Sequence, residues 1–216
     1  MNSWVLSTEL PIRNKHSYIN TLALMKLVKI AALLSGIYFS MVAPLSYAQD
    51  MTAKLAVCGA CHGPDGNSTM AGAPSLAGQP KIFLENNLIM IREGIRDIPV
   101  MKGQLDSLSD PQIIALAKFY SAQVLKPDPG KRDEALYERG QLLSKQALCG
   151  TCHLPDYVGR EQMPRLAGQR EDYLLHTMRQ FRNNQATGRD TIMAASLYGM
   201  NDDDLRAIAQ YLSQLK

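Results

Sequence analysis

A chain of 216 residues, 46% hydrophobic and 20% charged, has room for one or two packed domains and is too apolar to stay unfolded. Its formal charge of +3 does not extend to the body of the chain: residues 1–48 hold four Lys/Arg and one Asp/Glu, which leaves 19 of each sign beyond them. A neutral body lacks the electrostatic footprint of a nucleic-acid binder, so no nucleic acid is expected as partner.

Lys26 and Lys29 precede an apolar run from Ile30 to Leu45, and Ser46-Tyr47-Ala48 then places small residues at its first and last positions. This is the pattern of a secretory signal cut after Ala48, and residues 1–48 are expected to be removed. Met25 begins a signal of ordinary length by itself, so residues 1–24 read as an over-extended start. The rival reading is an uncleaved anchor, since the 19 residues from Ile30 to Ala48 barely suffice to span a bilayer. Length, flanks and the small-residue end favour removal. Export implies an oxidising compartment.

All four cysteines fall in two copies of one pattern, Cys58-Gly59-Ala60-Cys61-His62 and Cys149-Gly150-Thr151-Cys152-His153. C-x-x-C-H is the attachment pattern of c-type haem. On a helical turn, positions i, i+3 and i+4 share a face. Two thiols three apart can add to the two vinyl groups of a haem, and the following imidazole reaches the iron from the same side. The expectation is two covalently attached haem c groups, on Cys58 and Cys61 and on Cys149 and Cys152, with His62 and His153 as axial ligands. A thioredoxin-like redox pair needs a βαβ setting that neither copy has. Two C-x-x-C pairs also make a zinc site, but that does not call for a histidine after each. A disulfide within C-x-x-C is the third rival.

The chain beyond residue 48 reads as two repeats. Lys126-Pro127-Asp128-Pro129-Gly130 marks a linker between helical patterns. Pro74-Ser75-Leu76-Ala77-Gly78-Gln79 matches Pro164-Arg165-Leu166-Ala167-Gly168-Gln169. A helix follows in each, with Leu84, Leu88 and Ile91 corresponding to Leu174, Met178 and Phe181 at i, i+4, i+7. A loop follows, and a last helix opens at Ser109 or Asn201. Its inward stripe is Ile113, Leu116, Tyr120 and Val124 in the first half, and Leu205, Ile208, Leu212 and Leu215 in the second. The second half begins with a long helix from about Lys131 to Ala147; the corresponding helix of the first is expected to be short or absent. No run alternates like a strand, so the fold reads as all-α. Halves this small bury a limited core alone, and haem would supply an apolar centre.

One imidazole leaves an iron five-coordinate, and a methionine sulfur in the sixth position favours electron transfer. Eight methionines lie beyond residue 48. Met101 follows His62 by 39 residues and Met193 follows His153 by 40, each eight residues before its helix cap. These paired positions make them the expected sixth ligands. Against them stands the ordinary use of methionine as core filler. Met90 and Met178 fall within a helix, Met200 pairs with Leu108, and Met70 and Met163 come too soon after the histidines. His176 reads as a surface or packing residue. The carbonyls of Pro74 and Pro164 are placed to accept from the other nitrogen of each axial ring.

Taken together, Val57 to Gly63, Gly66-Asn67-Ser68 and the two P-x-L-A-G-Q segments resemble the cytochrome c4 family, and the likeness spans nearly all of residues 50–216. The resemblance implies two class I cytochrome c folds, 49–126 and 127–216, joined by the linker and related by a pseudo-twofold axis. It implies His/Met ligation of both irons, and propionates near the interface. It also implies a periplasmic electron carrier that meets its partners transiently, a quinol-oxidising complex or dehydrogenase on one side and a terminal oxidase or reductase on the other. Thr191 stands where the first half has Pro99, a departure that touches the path to Met193. The expected role is therefore a carrier with no catalytic residues. A dehydrogenase's cytochrome subunit, a dihaem peroxidase and a haem-based gas sensor are the rivals, and partners seated in the membrane are compatible with it.

Overall fold

The structure, a computed structural model, describes residues 51–127 and 130–216. The expected signal segment, its cleavage point and the start at Met25 lie outside the described residues.

All regular elements among the described residues are helical, and one isolated β-bridge joins Arg160 to Met163. The first half has α1, helical over 51–62, then α2 (Lys81–Arg92), a 3-10 turn (Pro99–Met101) and α3 (Asp110–Ser121). The second has α4 (Glu134–Gln146), α5 (Cys149–His153), α6 (Glu171–Arg182), α7 (Thr191–Ser196) and α8 (Asp202–Ser213).

The helix starts follow from capping chemistry. At α8, Asn201 Oδ1 accepts from the Asp204 N–H at 2.9 Å, and the Asp204 carboxylate accepts from the Asn201 N–H at 3.1 Å. At α3 the Ser109 N–H donates to Gln112 Oε1 at 2.8 Å, and Pro111 in the first turn lacks a donor that would go unused there. Each such cap stabilises by about 1 kcal/mol.

Each half closes over its own core. Leu84 of α2 and Ile113, Leu116 and Tyr120 of α3 are buried in the first; Leu174 and Met178 of α6 and Leu205, Ile208 and Leu212 of α8 are buried in the second. Val124 does not continue its stripe. Helix α3 ends at Ser121, and Val124 lies beyond it, 76% exposed, with its carbonyl accepting from Asn67 Nδ2 at 3.0 Å. The leading helix of the first half is present: α1 is helical from residue 51 and runs without a break through His62. In the second half the same path is interrupted. α4 stops at Gln146, and Leu148, at φ 56°, redirects the chain into α5.

The halves solve one packing problem in opposite ways. Gly66, at φ 79°, leaves space for the Tyr120 ring, which lies 2.7 Å from where a Cβ would stand. Its counterpart is Tyr157, which takes the left-handed conformation itself at φ 57° and sends its hydroxyl to Ser144 at 3.1 Å. The counterpart of Tyr120 is then Leu212.

The two motifs P-x-L-A-G-Q meet at the seam between the halves, and the contact is reciprocal. Gln79 Nε2 donates to the Arg165 carbonyl at 2.9 Å, and Gln79 Oε1 accepts from the Arg165 N–H at 3.0 Å. Gln169 Nε2 donates to the Ser75 carbonyl at 2.8 Å, and Gln169 Oε1 accepts from the Ser75 N–H at 2.8 Å. Swapping the halves maps one pair of bonds onto the other, which is the signature of the pseudo-twofold.

Candidate functional site

Helices α1 and α5 bring each C-x-x-C-H into the expected register, with the histidine turned inward. His62 is 8% exposed and His153 3%. His62 Nδ1 lies 2.9 Å from the Pro74 carbonyl, and His153 Nδ1 lies 2.9 Å from the Pro164 carbonyl. A carbonyl can only accept, so the proton sits on Nδ1 and the Nε2 lone pair is left bare. Burial lowers both histidine pKa values, and the carbonyl contact offsets part of that, so the rings are held neutral near neutral pH.

The bare nitrogen is the test of whether a haem iron fits. His153 Nε2 is buried and has no hydrogen-bond partner. Such an orphan costs about 1–3 kcal/mol unless something fills its lone pair. A neutral imidazole fixed through Nδ1 with Nε2 open is a metal ligand in its binding state. A second observation fits the rest of a haem. Arg96 of the first half and Arg189 of the second lie within electrostatic reach, and burial together with Arg96 pushes Arg189 down to about 10. Arg189 Nε is buried without a partner. An anionic group such as a propionate would satisfy both cations.

The cysteines form no disulfide. Cys58 and Cys149 are half-buried against the cores of their halves, while Cys61 and Cys152 are exposed. Burial raises the Cys58 and Cys149 thiols above the usual range, the opposite of a reactive thiolate. A raised thiol does not favour a thioredoxin-like pair. Among the described residues no three His, Cys, Asp or Glu side chains converge, so a zinc site lacks its ligands.

Met101 closes the 3-10 turn and Met193 sits in α7; both are half-buried, and each packs on the same core as the first cysteine of its half. The Pro99/Thr191 departure shows here. Pro99 opens a 3-10 turn, whereas Asp190 caps α7 by accepting from the Ile192 N–H at 2.8 Å. The other methionines behave as packing or surface residues: Met178 is in the core and Met70 is exposed. His176 is exposed on α6.

Sequence reasoning did not assign a role to Gln79, Gln169, Arg92 or Arg182. The glutamines carried a signal, being polar residues repeated inside an otherwise apolar motif. The arginines anchor the segments that bear Met101 and Met193. Arg92 Nη1 donates to the Leu108 carbonyl at 2.9 Å and Arg182 Nη1 to the Met200 carbonyl at 3.3 Å.

The chain is similar to known proteins. The Cytochrome c family model matches residues 137–216. Cytochrome c4 of Azotobacter vinelandii is 35% identical over 182 residues, which is 75% of this chain and 86% of that protein. A thiosulfate dehydrogenase electron acceptor of Thiomonas intermedia is 32% identical, covering 88% of this chain and 91% of its own length. The crystal structure of reduced recombinant cytochrome c4 from Pseudomonas stutzeri superposes with a TM-score of 0.71 at 33% identity, over 78% of this chain and 98% of that one.

Proposed function

The chain belongs to the cytochrome c4 family, a dihaem electron-transfer cytochrome with two covalent haem c groups, and we propose that His62 with Met101 and His153 with Met193 complete the coordination of its two irons. When bound, each haem supplies a one-electron ferric/ferrous couple, at a potential that a methionine sulfur raises. The residues of the chain hold that couple in place. Cys58, Cys61, Cys149 and Cys152 attach it, the carbonyls of Pro74 and Pro164 fix the ring planes, and Met101 and Met193 exclude exogenous ligands. This is a carrier's chemistry, not an enzyme's. The observation that carries the ligand assignment is the repeat itself. Two buried histidines have Nδ1 tied to a proline carbonyl at the same 2.9 Å, one orphaned at Nε2, with a methionine on the same core in each half.

The carrier is proposed to work in the periplasm, with residues 1–48 as its removed signal, 49–126 and 127–216 as its two domains, and electrons arriving from a quinol-oxidising complex or a dehydrogenase and leaving to a terminal oxidase or reductase. No helix among the described residues is long and apolar enough to cross a membrane. Likeness to a thiosulfate dehydrogenase electron acceptor favours a dehydrogenase as one donor. Cys61, Cys152 and the 70%-exposed Leu148 lie at the surface, which suits the small, brief contacts of redox partners.

Absorption spectra of the oxidised and reduced protein, with haem per chain quantified, test the ligands. Two low-spin haems with a sulfur-to-iron charge-transfer band are expected. Met101→Ala and Met193→Ala should each remove half of that band and let carbon monoxide bind one reduced iron. An unchanged band in either variant refutes that ligand.

A further inference from the structure

The peptide unit between Pro74 and Ser75 is held at both ends. Its carbonyl accepts from His62 Nδ1 at 2.9 Å, and its N–H donates to Gln169 Oε1, from the other half, at 2.8 Å. The peptide unit between Pro164 and Arg165 repeats this, with the carbonyl accepting from His153 Nδ1 at 2.9 Å and the N–H donating to Gln79 Oε1 at 3.0 Å. Each glutamine therefore stands one peptide away from the histidine of the opposite half. We propose that Gln79 and Gln169 are positioning residues that act crosswise, Gln169 setting the ligand strength of His62 and Gln79 that of His153. The proposal rests on those histidines being the axial ligands.

The physical route is short. A peptide is one resonance unit, so a hydrogen bond accepted from its N–H places more negative charge on its carbonyl oxygen. Successive hydrogen bonds strengthen each other by about 10–30% per bond in condensed phases. Both glutamines are buried, 5% exposed at Gln79 and 4% at Gln169, so water does not dilute the effect. A more negative carbonyl draws harder on Nδ1–H, and the ring becomes a more basic ligand. A more basic ligand favours the ferric ion. Each glutamine thus holds down the potential of the iron in the other half, and the seam becomes part of both sites. The amides cannot be turned over. Their Nε2 groups donate to the carbonyls of Ser75 and Arg165, which cannot face an oxygen.

The test uses the full haem-loaded protein, with each iron's potential followed through its own haem methyl resonances at stepped poise. Gln169→Met should raise the potential of the iron on the His62 side and leave the other where it was; Gln79→Met should do the converse. The expected change is on the order of threefold in the ferric-to-ferrous ratio at fixed poise, where tenfold equals 59 mV for one electron. Gln169→Asn and Gln79→Asn, whose shorter amides withdraw from the peptide N–H, give the same crossed pattern where a methionine variant does not fold. Tyr173→Phe serves as the control. It deletes another contact across the seam, from Arg96 Nη2 to the Tyr173 hydroxyl at 3.4 Å, leaves the charge unchanged and touches neither histidine-bearing peptide, so it should move neither potential. A same-side shift, a joint shift of both irons, or no shift in a glutamine variant overturns the proposal, as does a crossed shift in the control. If the ligand assignment itself is wrong, the unsubstituted protein shows it first, as a high-spin iron or a missing sulfur band.

Discussion

Gly140 on α4 lies so close to Ala207 on α8 that a Cβ at position 140 would stand 2.0 Å from the Ala207 carbonyl oxygen. The crossing of these two helices is what holds the second half shut. α4 leads into the Cys149–His153 turn, and α8 carries Leu205, Ile208 and Leu212 into the core. Arg139 adds an ion pair to Asp204 across the same crossing at 2.6 Å.

Gly140→Ala is therefore expected to destabilise. The obstacle is backbone and not a movable side-chain tip, so relief requires the helices to separate. Overpacking of this kind costs typically 1–3 kcal/mol, which corresponds to about 2–4 °C of Tm per kcal/mol in a protein of this size. Thermal unfolding followed by far-UV circular dichroism checks it. A variant as stable as the parent means that α4 and α8 do not meet in this way.

The segments that carry Met101 and Met193 are each closed by an arginine that does two things. Arg182 donates to the Met200 carbonyl and pairs with Asp202 at 2.9 Å; Arg92 donates to the Leu108 carbonyl and pairs with Asp110 at 2.8 Å. A guanidinium fork can hold a carbonyl and a carboxylate together, and a lysine ammonium on its flexible stem cannot do so with the same geometry. Arg182→Lys is expected to weaken its segment by about 1 kcal/mol and to speed displacement of the proposed Met193 ligand by added imidazole about fivefold. Arg92→Lys should do the same for Met101. Stopped-flow measurement of imidazole binding checks both, and equal rates in parent and variants would refute the role.

What could be read from the sequence, and what could not, divides by the range of the interaction. The haem motifs, the caps at Ser109 and Asn201 and the repeat of P-x-L-A-G-Q are local patterns, and the structure bears out the helices they mark. The acceptor carbonyls of Pro74 and Pro164 were legible because a repeated loop just after each histidine leaves few alternatives. Val124 was misread because the apolar spacing of α3 runs past its end at Ser121, where the chain turns into the linker. The break at Leu148 was invisible because a left-handed leucine carries no sequence signal. The exchange of bulk between Tyr120 and Tyr157 escaped notice because it pairs residues far apart in the chain. The crossed glutamine contacts belong to the same class: the repeat exposed the residues, and only the packing of one half on the other gave them partners.

Loss of haem should unfold the half that loses it. Each half contributes a core of about ten buried side chains or fewer, and the orphaned His153 Nε2 is a burden until a ligand occupies it. With Cys149→Ala and Cys152→Ala together, residues 134–216 are expected to become the preferred site of limited proteolysis, with a matching loss of helical signal. Retention of parent-like protease resistance in that half would show that its polypeptide core suffices by itself.

Acid should loosen the tie between the first haem loop and the linker. Lys126 Nζ lies 2.6 Å from the Asp65 carboxylate, and with the Asn67 N–H it holds Asp65 down to about 2 from an ordinary 3.8. Around it, Asn67 Oδ1 accepts from the Lys126 N–H at 2.7 Å, so side chain and backbone fasten the same joint. A depressed carboxylate contributes stability that is complete above its unfolded value and is lost as pH falls through the folded one. The window is therefore from 3.8 down to about 2. Lys126→Met should move the Asp65 titration up toward its ordinary value, as read from its carboxyl carbon resonance. The stability difference between parent and variant should be constant above about pH 5, shrink through that window and vanish at its acid end. Because the pair is exposed, raising salt should shrink the difference at neutral pH as well. An Asp65 that titrates identically in parent and variant would mean that Lys126 does not engage it in solution.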